Sequence, residues 1–244
     1  MSANALHSPF PSDANGPGRP PGAPARQPGK AYRGMGMDGI VAHWYARNTQ
    51  KSIADYQALA ERVSTQLPAG SRVLEVAPGP GYFAIELAKR GPFHVVGIDI
   101  SATCVEIARK RAQREHVAVD FQIGDAAHLP IESASVDFIL CRAAFKNFAD
   151  PLGALQEMHR VLKPGGSGLL IDLSKDATPA SIAQAVDGMG LNRINRWLTR
   201  LIFRFVLLKR AYTEKQFRDF FTQSGFTAVD IQAGLIGFDI RFTR

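Results

Sequence analysis

Cysteine is nearly absent: Cys104 and Cys141 are the two in 244 residues. Their spacing supports neither a disulfide framework nor a metal-ligand set, so no metal is expected, and a reducing compartment suits them. No run of about 18 uncharged apolar residues occurs, so no membrane-spanning helix is expected. A basic-then-apolar leader is missing as well, and a cytoplasmic location is the expectation. Acids are the scarcer charge, 22 against 29 lysines and arginines, which leaves a net charge of +7. That balance keeps an acidic partner open, nucleic acid or an anionic membrane surface, beside a merely basic soluble enzyme. With 45% apolar residues the chain has material for a closed core, and its length fits one full α/β domain better than two.

What is present is unevenly placed. Residues 1–30 hold seven of the fifteen prolines and cannot bury enough apolar surface to offset their ordering entropy, so they read as a disordered tail. Residues 31–70 read as an N-terminal helical cap, with Ile53, Tyr56, Leu59, Val63 and Leu67 at spacings of three and four. From residue 71 strands and helices alternate: "RVLEVA", "HVVGIDIS", "VDFQIGDA", "VDFILCRA" and "GLLIDLS" are strands, separated by helical stretches. The helix "LGALQEMHRVLKPGG" is expected to stop at Pro164-Gly165-Gly166. "TAVDIQ" and "LIGFDIRF" close the chain as an antiparallel edge. The expected fold is α/β: a doubly wound, mostly parallel seven-stranded sheet within residues 71–244, carrying a helical insertion at about 177–212.

The stretch "LEVAPGPGYF", residues 74–83, poses the functional question. A strand runs into a glycine loop, the usual seat of a nucleotide-like cofactor. Gly79-x-Gly81-x-x-Ala84, with Asp99 twenty residues on, fits a dinucleotide fingerprint. Against that reading, Glu75 inside the strand has no task in a pyrophosphate site, and a buried acid needs a partner. Taken singly, the glycines have a plainer reading as a turn and Asp99 as a helix cap.

In order along the chain stand "VLEVAPGPGYF", "VVGIDIS", "GDAAHLPI", "SVDFILCRAAFKNFADP" and "RVLKPGG". Together they resemble the class I S-adenosylmethionine-dependent methyltransferases, from about Ser71 to Leu173, and most of all the ubiquinone/menaquinone biosynthesis C-methyltransferase group. Members of that group also place alanine at the Ala77 position and share the pattern around Lys146-Asn147. The resemblance implies a Rossmann-like methyltransferase fold and S-adenosylmethionine as cofactor. It implies that Glu75, Ala77, Gly79 and Gly81 form the loop at the methionine end, the two glycines admitting a close backbone approach. Asp99 would take the ribose hydroxyls, Ile100 would pack on the adenine, and Asp125 with Ala126 would bind its amino edge. Arg142 falls where the family contacts the methionine end, although a small polar residue is commoner there; Pro80 likewise replaces a hydroxyl residue.

The implied activity is methyl transfer to a small hydrophobic or aromatic acceptor. Because a methyl sulfonium is already activated, positioning dominates, and a base is needed only for some acceptors. Candidate catalytic residues are His43 and Tyr45 on the cap, His128 in the loop after the third strand, and Lys146 and Asn147 on the substrate rim beyond the fourth. Between the fifth strand and the last helix, "LNRINRWLTRLIFRFVLLKR" carries six positive charges and no acid from 193 to 210. Arg193, Arg196, Arg200 and Arg204 form one stripe beside an apolar face. Its readings are a cap helix, a lid over an apolar acceptor, or peripheral contact with an anionic membrane through 191–210. Two other functions compete: a nucleic-acid-binding protein or RNA methyltransferase using this basic helix, and a cofactor-binding partner without turnover. The absence of "Pro-Cys" and "Asn-Pro-Pro-Tyr" elements weighs against nucleic acid.

Overall fold

Each short aliphatic run pairs with the others as its alternation with helices requires. The computed structural model describes residues 32–33, 39, 42–43 and 53–244; the tail 1–30 and Tyr45 lie outside the described residues. The strands are β1 (Arg72–Val76), β2 (His94–Asp99), β3 (Asp120–Ile123), β4 (Val136–Arg142), β5 (Leu162–Leu173), β6 (Ala228–Ala233) and β7 (Gly237–Thr243). They form one seven-stranded sheet in the order β3-β2-β1-β4-β5-β7-β6. The first five run parallel, and β7 is antiparallel to both its neighbours. The C-terminal strand therefore slots inside the sheet, and β6 forms the outer edge. The strand order reverses between β1 and β4, the place where such sheets open a ligand crevice at their carboxyl ends.

Helices cover both faces, because each parallel strand is apolar on both sides. On one face α1 (Ile53–Ser64), α2 (Tyr82–Ala88) and α3 (Ala102–Arg114) bury Leu59, Val63, Phe83, Leu87 and Val105 against Val73, Val95 and Leu140. On the other, α4 (Pro151–Val161) and α7 (Glu214–Gln223) bury Leu155, Met158, Phe217 and Phe221 against Ile139, Leu170 and Ile240. The insertion supplies α5 (Pro179–Asp187) and α6 (Arg193–Ile202), with a small apolar cluster of its own around Ile182, Val186 and Leu208.

Two local expectations are corrected. Helix α4 ends at Val161, one turn before the Pro-Gly-Gly; Leu162 turns extended and pairs with Val136 of β4, so strand pairing ends the helix. Lys146 is not on the rim. It sits in a 3₁₀ turn, Phe145–Asn147, with its side chain 7% exposed, and its ammonium lies 2.9 Å from Oδ1 of Asp172, which is 0% exposed. The Lys146 ammonium also donates to the Ala143 carbonyl, and Asp172 accepts the backbone N–H groups of Lys146 and Leu173. The pair thus ties the ends of β4 and β5 together. Removing one partner of a buried pair strands the other charge, at a cost of about 3–5 kcal/mol. Lys146→Met is expected to lower urea stability by that order. Adding Asp172→Asn should recover part of it, since the neutral amide still accepts from the backbone; a single variant with wild-type stability would refute this account.

Candidate functional site

The loop after β1 alternates handedness. Ala77, Gly79 and Gly81 have φ of 56°, 54° and 75°, with Pro78 and Pro80 between them. An alanine in the left-handed region costs about 1–2 kcal/mol, which Ala77 accepts to hold its N–H on Ile98 O at 2.8 Å. Gly81 is required by packing: a Cβ there would lie 2.6 Å from the Phe121 ring and 2.9 Å from Ala108 Cβ. Its smallness seats α2 against α3 and β3, whereas the sequence pointed to room for a ligand.

The loop offers few free donors. Pro78 and Pro80 have no N–H; those of Ala77 and Gly81 bond to Ile98 O and Pro78 O, and that of Gly79 bonds to Asp99 Oδ2 at 2.8 Å. At the start of α2, Ala84 N–H donates to Glu75 Oε2 at 3.0 Å. A carboxyl group therefore already occupies part of the helix N-terminus where a pyrophosphate would sit. Acids, and not open N–H groups, characterise this loop.

Glu75 is buried, and desolvation pushes its carboxyl up to about 8, against the opposing effects of the Ala84 hydrogen bond and the Arg142 charge; Asp99 adds to the rise. Asp99 ends β2 and is buried, with its oxygens accepting from Gly79 and Ser101 N–H. The cap of α3 is Ser101, which accepts from Cys104 N–H, so Asp99 has no capping task. Ile100 is exposed beside it, and so is Ile123, its register neighbour at the end of β3. Sequence reasoning missed Ile123, since an isoleucine in a strand reads as core until register places it at a bare strand end. Asp125 accepts Ala127 N–H at 3.0 Å in the next loop, with Ala126 half-buried between them.

Arg142, the last residue of β4, closes the other side. Its Nη1 is buried with no hydrogen-bond partner among the described residues, and its guanidinium carbon lies 4.2 Å over the Tyr56 ring. Tyr56 stacks on Tyr82 at 5.3 Å, and Arg111 covers Tyr82 from beyond at 4.1 Å. This stack joins β4, α1, α2 and α3 in one roof, each contact worth about 0.5–1.5 kcal/mol beyond burial. Neither tyrosine stood out in the sequence, because both sit at core spacing.

The catalytic candidates are scattered. His128 is exposed, 3.4 Å from Asp125 Oδ2. His43 is exposed on a helical turn, its Nδ1 2.9 Å from Gly39 O. Asn147 is half-buried; its carbonyl accepts from Arg33 N–H at 2.7 Å, and Arg33 Nη1 reaches Tyr212 OH at 2.9 Å. The Tyr32–Arg33 strap across the ends of β4 and β5 had no sequence signal. A cavity of about 310 Å³ lies farther along the same edge, lined by Ser174, Asp176, Thr178, Glu214 and the β6–β7 turn. It does not coincide with the glycine loop.

Comparison with known proteins agrees with this geometry. Residues 74–170 match the family model described as a methyltransferase domain. A demethylmenaquinone methyltransferase of Deinococcus radiodurans is 43% identical over 108 residues, 44% of this chain and 45% of that protein. A ubiquinone biosynthesis O-methyltransferase of Xanthomonas axonopodis pv. citri is 34% identical over 148 residues, 59% of this chain and 61% of that protein. The chain thus spans about half the length of the curated relatives it matches. Among solved structures, a protein of Methanococcus maripaludis named as a putative S-adenosylmethionine-dependent methyltransferase superimposes with TM-score 0.69 at 22% identity, over 88% of this chain and 97% of that one. The [4+2]-cyclase SpnF does so with TM-score 0.56 at 26% identity, over 72% and 58%. This fold is therefore shared by more than one chemistry.

The buried acid sets a pH signature. A carboxyl whose folded pKa exceeds its unfolded value weakens the fold as pH rises from 4.5 towards 8, because the unfolded chain releases its proton first. Glu75→Gln, which keeps an acceptor for Ala84 N–H, is expected to flatten that decline and raise the urea midpoint at pH 8. Parallel stability curves for the two proteins would show that Glu75 does not hold a proton.

Proposed function

We propose that this chain, whose residues 74–170 match a methyltransferase-domain model, binds S-adenosylmethionine at the β1–β2–β4 ends and methylates a small hydrophobic acceptor of quinone type. The observation that carries the reading is the acid-lined loop: Glu75 and Asp99 face a site whose N–H groups are largely taken. Such a loop suits a cation better than a pyrophosphate. The orphaned Nη1 of Arg142 supplies the complementary charge, a fit for the α-carboxylate of an amino-acid moiety.

Bound there, S-adenosylmethionine supplies a methyl carbon already activated by its sulfonium. The chain's own part is to hold and orient. Glu75, once ionised, offsets the positive end; Asp99 accepts from the ribose hydroxyls; Ile100 and Ile123 present apolar surface to the base; Asp125 accepts from its amino group, and Ala126 offers its backbone to the same edge. Ala77, Gly79 and Gly81 shape the loop that these groups border. Aligned positioning of this kind contributes several kcal/mol to such a transfer. His128, His43 and Asn147 remain candidates for contacting the acceptor; buried Lys146 is a positioning residue.

The quinone-type acceptor rests on what the relatives' names say they act on. No observation favours nucleic acid over a small acceptor. A hydrophobic acceptor partitions into bilayers, so peripheral membrane contact through 191–210 accords with the same reading. Among the described residues no helix is long and apolar enough to cross a membrane.

Calorimetry tests the cofactor. Asp99→Ala is expected to weaken S-adenosylmethionine binding by about 1–3 kcal/mol, the worth of charge-assisted hydrogen bonds. Binding at pH 7 should release close to one proton, seen as a buffer-dependent enthalpy that Glu75→Gln abolishes, with affinity rising towards pH 8. Tight binding of a nicotinamide dinucleotide and none of the sulfonium would end the reading. A screen with labelled methyl donor then identifies the acceptor.

A further inference from the structure

Helix α6 continues into a π-helical turn, Phe203–Leu207, and packs the wrong way round for an element that serves the core. None of its residues, nor any of that turn, is buried. Ile194 and Trp197 are 77% and 63% exposed, and Leu198, Ile202, Phe205 and Val206 are exposed with them. The side turned to α5 is mixed: Phe203 packs on the Ile182, Val186 and Leu208 cluster, and two half-exposed arginines pair with Asp187. Arg200 Nη2 lies 2.7 and 2.8 Å from the two carboxylate oxygens of Asp187, at the end of α5, and Arg196 Nε lies 3.3 Å from the same acid. Arg196 also donates to Leu191 O at 3.1 Å. The apolar stripe, at helical spacing from 194 to 205, is turned to solvent.

We propose that this face docks on an anionic phospholipid bilayer. Contiguous apolar patches of this kind are uncommon on monomers without a binding role. Charge selects the occupant. Arg193, Arg204, Lys209 and Arg210 border the stripe, and no Asp or Glu occurs between residues 188 and 213. A second copy meeting this face through a two-fold axis would set cations against cations. A bilayer with anionic headgroups meets both requirements: the acyl boundary takes the apolar side chains, the phosphates take the arginines, and a tryptophan suits the interface between them. The surface is separate from the glycine loop, so docking and cofactor binding can fail independently.

Flotation with vesicles of phosphatidylglycerol and phosphatidylcholine, against phosphatidylcholine alone, tests the proposal. The full chain is expected to float with the anionic vesicles at low salt and to be released by high salt. In a Trp44→Phe background, Trp197 emission should shift to the blue on binding. Arg193→Gln and Arg204→Gln should each weaken binding roughly fivefold. Ile194→Ser with Phe205→Ser should abolish flotation while leaving the melting temperature and S-adenosylmethionine affinity unchanged, because both side chains contact solvent. Failure to float with anionic vesicles, or flotation indifferent to these substitutions, would overturn the proposal. A lipid-free dimer that Trp197→Ser dissolves would likewise assign the face to a second copy.

Discussion

A carboxylate buried in a central strand is the constraint around which the site is arranged. Glu75 lies between β2 and β4 with one N–H donor, that of Ala84. Its ionised form is penalised by burial and by Asp99, and favoured by Arg142. The uncharged form is the cheaper one in the ligand-free protein at neutral pH. A cation arriving beside it inverts that balance. The same acid takes a donor at the start of α2 and so weakens the claim of any anion on the helix N-terminus. One residue thus disfavours a dinucleotide and, in the proposed function, neighbours the positive end of the cofactor.

The surroundings make that acid hard to relax. Above it, the Arg142–Tyr56–Tyr82–Arg111 stack fixes the cap helix to three other elements. Below, Gly81 lets α2 lie against Phe121 so closely that a single added carbon would collide. To one side, Lys146 and Asp172 lock the turn after β4 to the end of β5. These contacts rigidify the carboxyl ends of the strands, and a preorganised site loses less freedom on binding.

Much of this was legible in the residues. Strand–helix alternation from residue 71 and the two closing strands give the sheet, because buried parallel strands must be apolar throughout. Glu75 stood out because a buried acid is costly without a partner, Asp99 by its spacing from the glycine loop, and Asp125 only through the family resemblance. The misses share a cause. Lys146 read as a residue of the substrate rim because sequence cannot show that Asp172, 26 residues away, pairs with it. Ile123, Tyr56 and Tyr82 carry the spacing of ordinary core residues, and only tertiary register separates a core isoleucine from one bared beside Asp99. The helix stop at Pro164-Gly165-Gly166 failed because Leu162 gains a partner on β4, and long-range pairing overrode the local signal.

Helix α6 shows the same limit from the other direction. Its period announces an amphipathic helix, yet amphipathicity does not say which face meets the domain. Asp187, one acid upstream, pairs with Arg196 and Arg200 on the side away from the exposed apolar stripe. Half-exposed ion pairs of this kind contribute at most about 1 kcal/mol each, far less than burying Ile194, Trp197 and Phe205 would. The pairs alone therefore do not account for the orientation. The domain beneath offers too small an apolar surface: the cluster around Ile182, Val186 and Leu208 is already covered by Phe203, Leu191 and Ile236. With that cluster closed, the remaining apolar side chains of α6 have no place within the fold, and their free energy is available only to something that binds from outside.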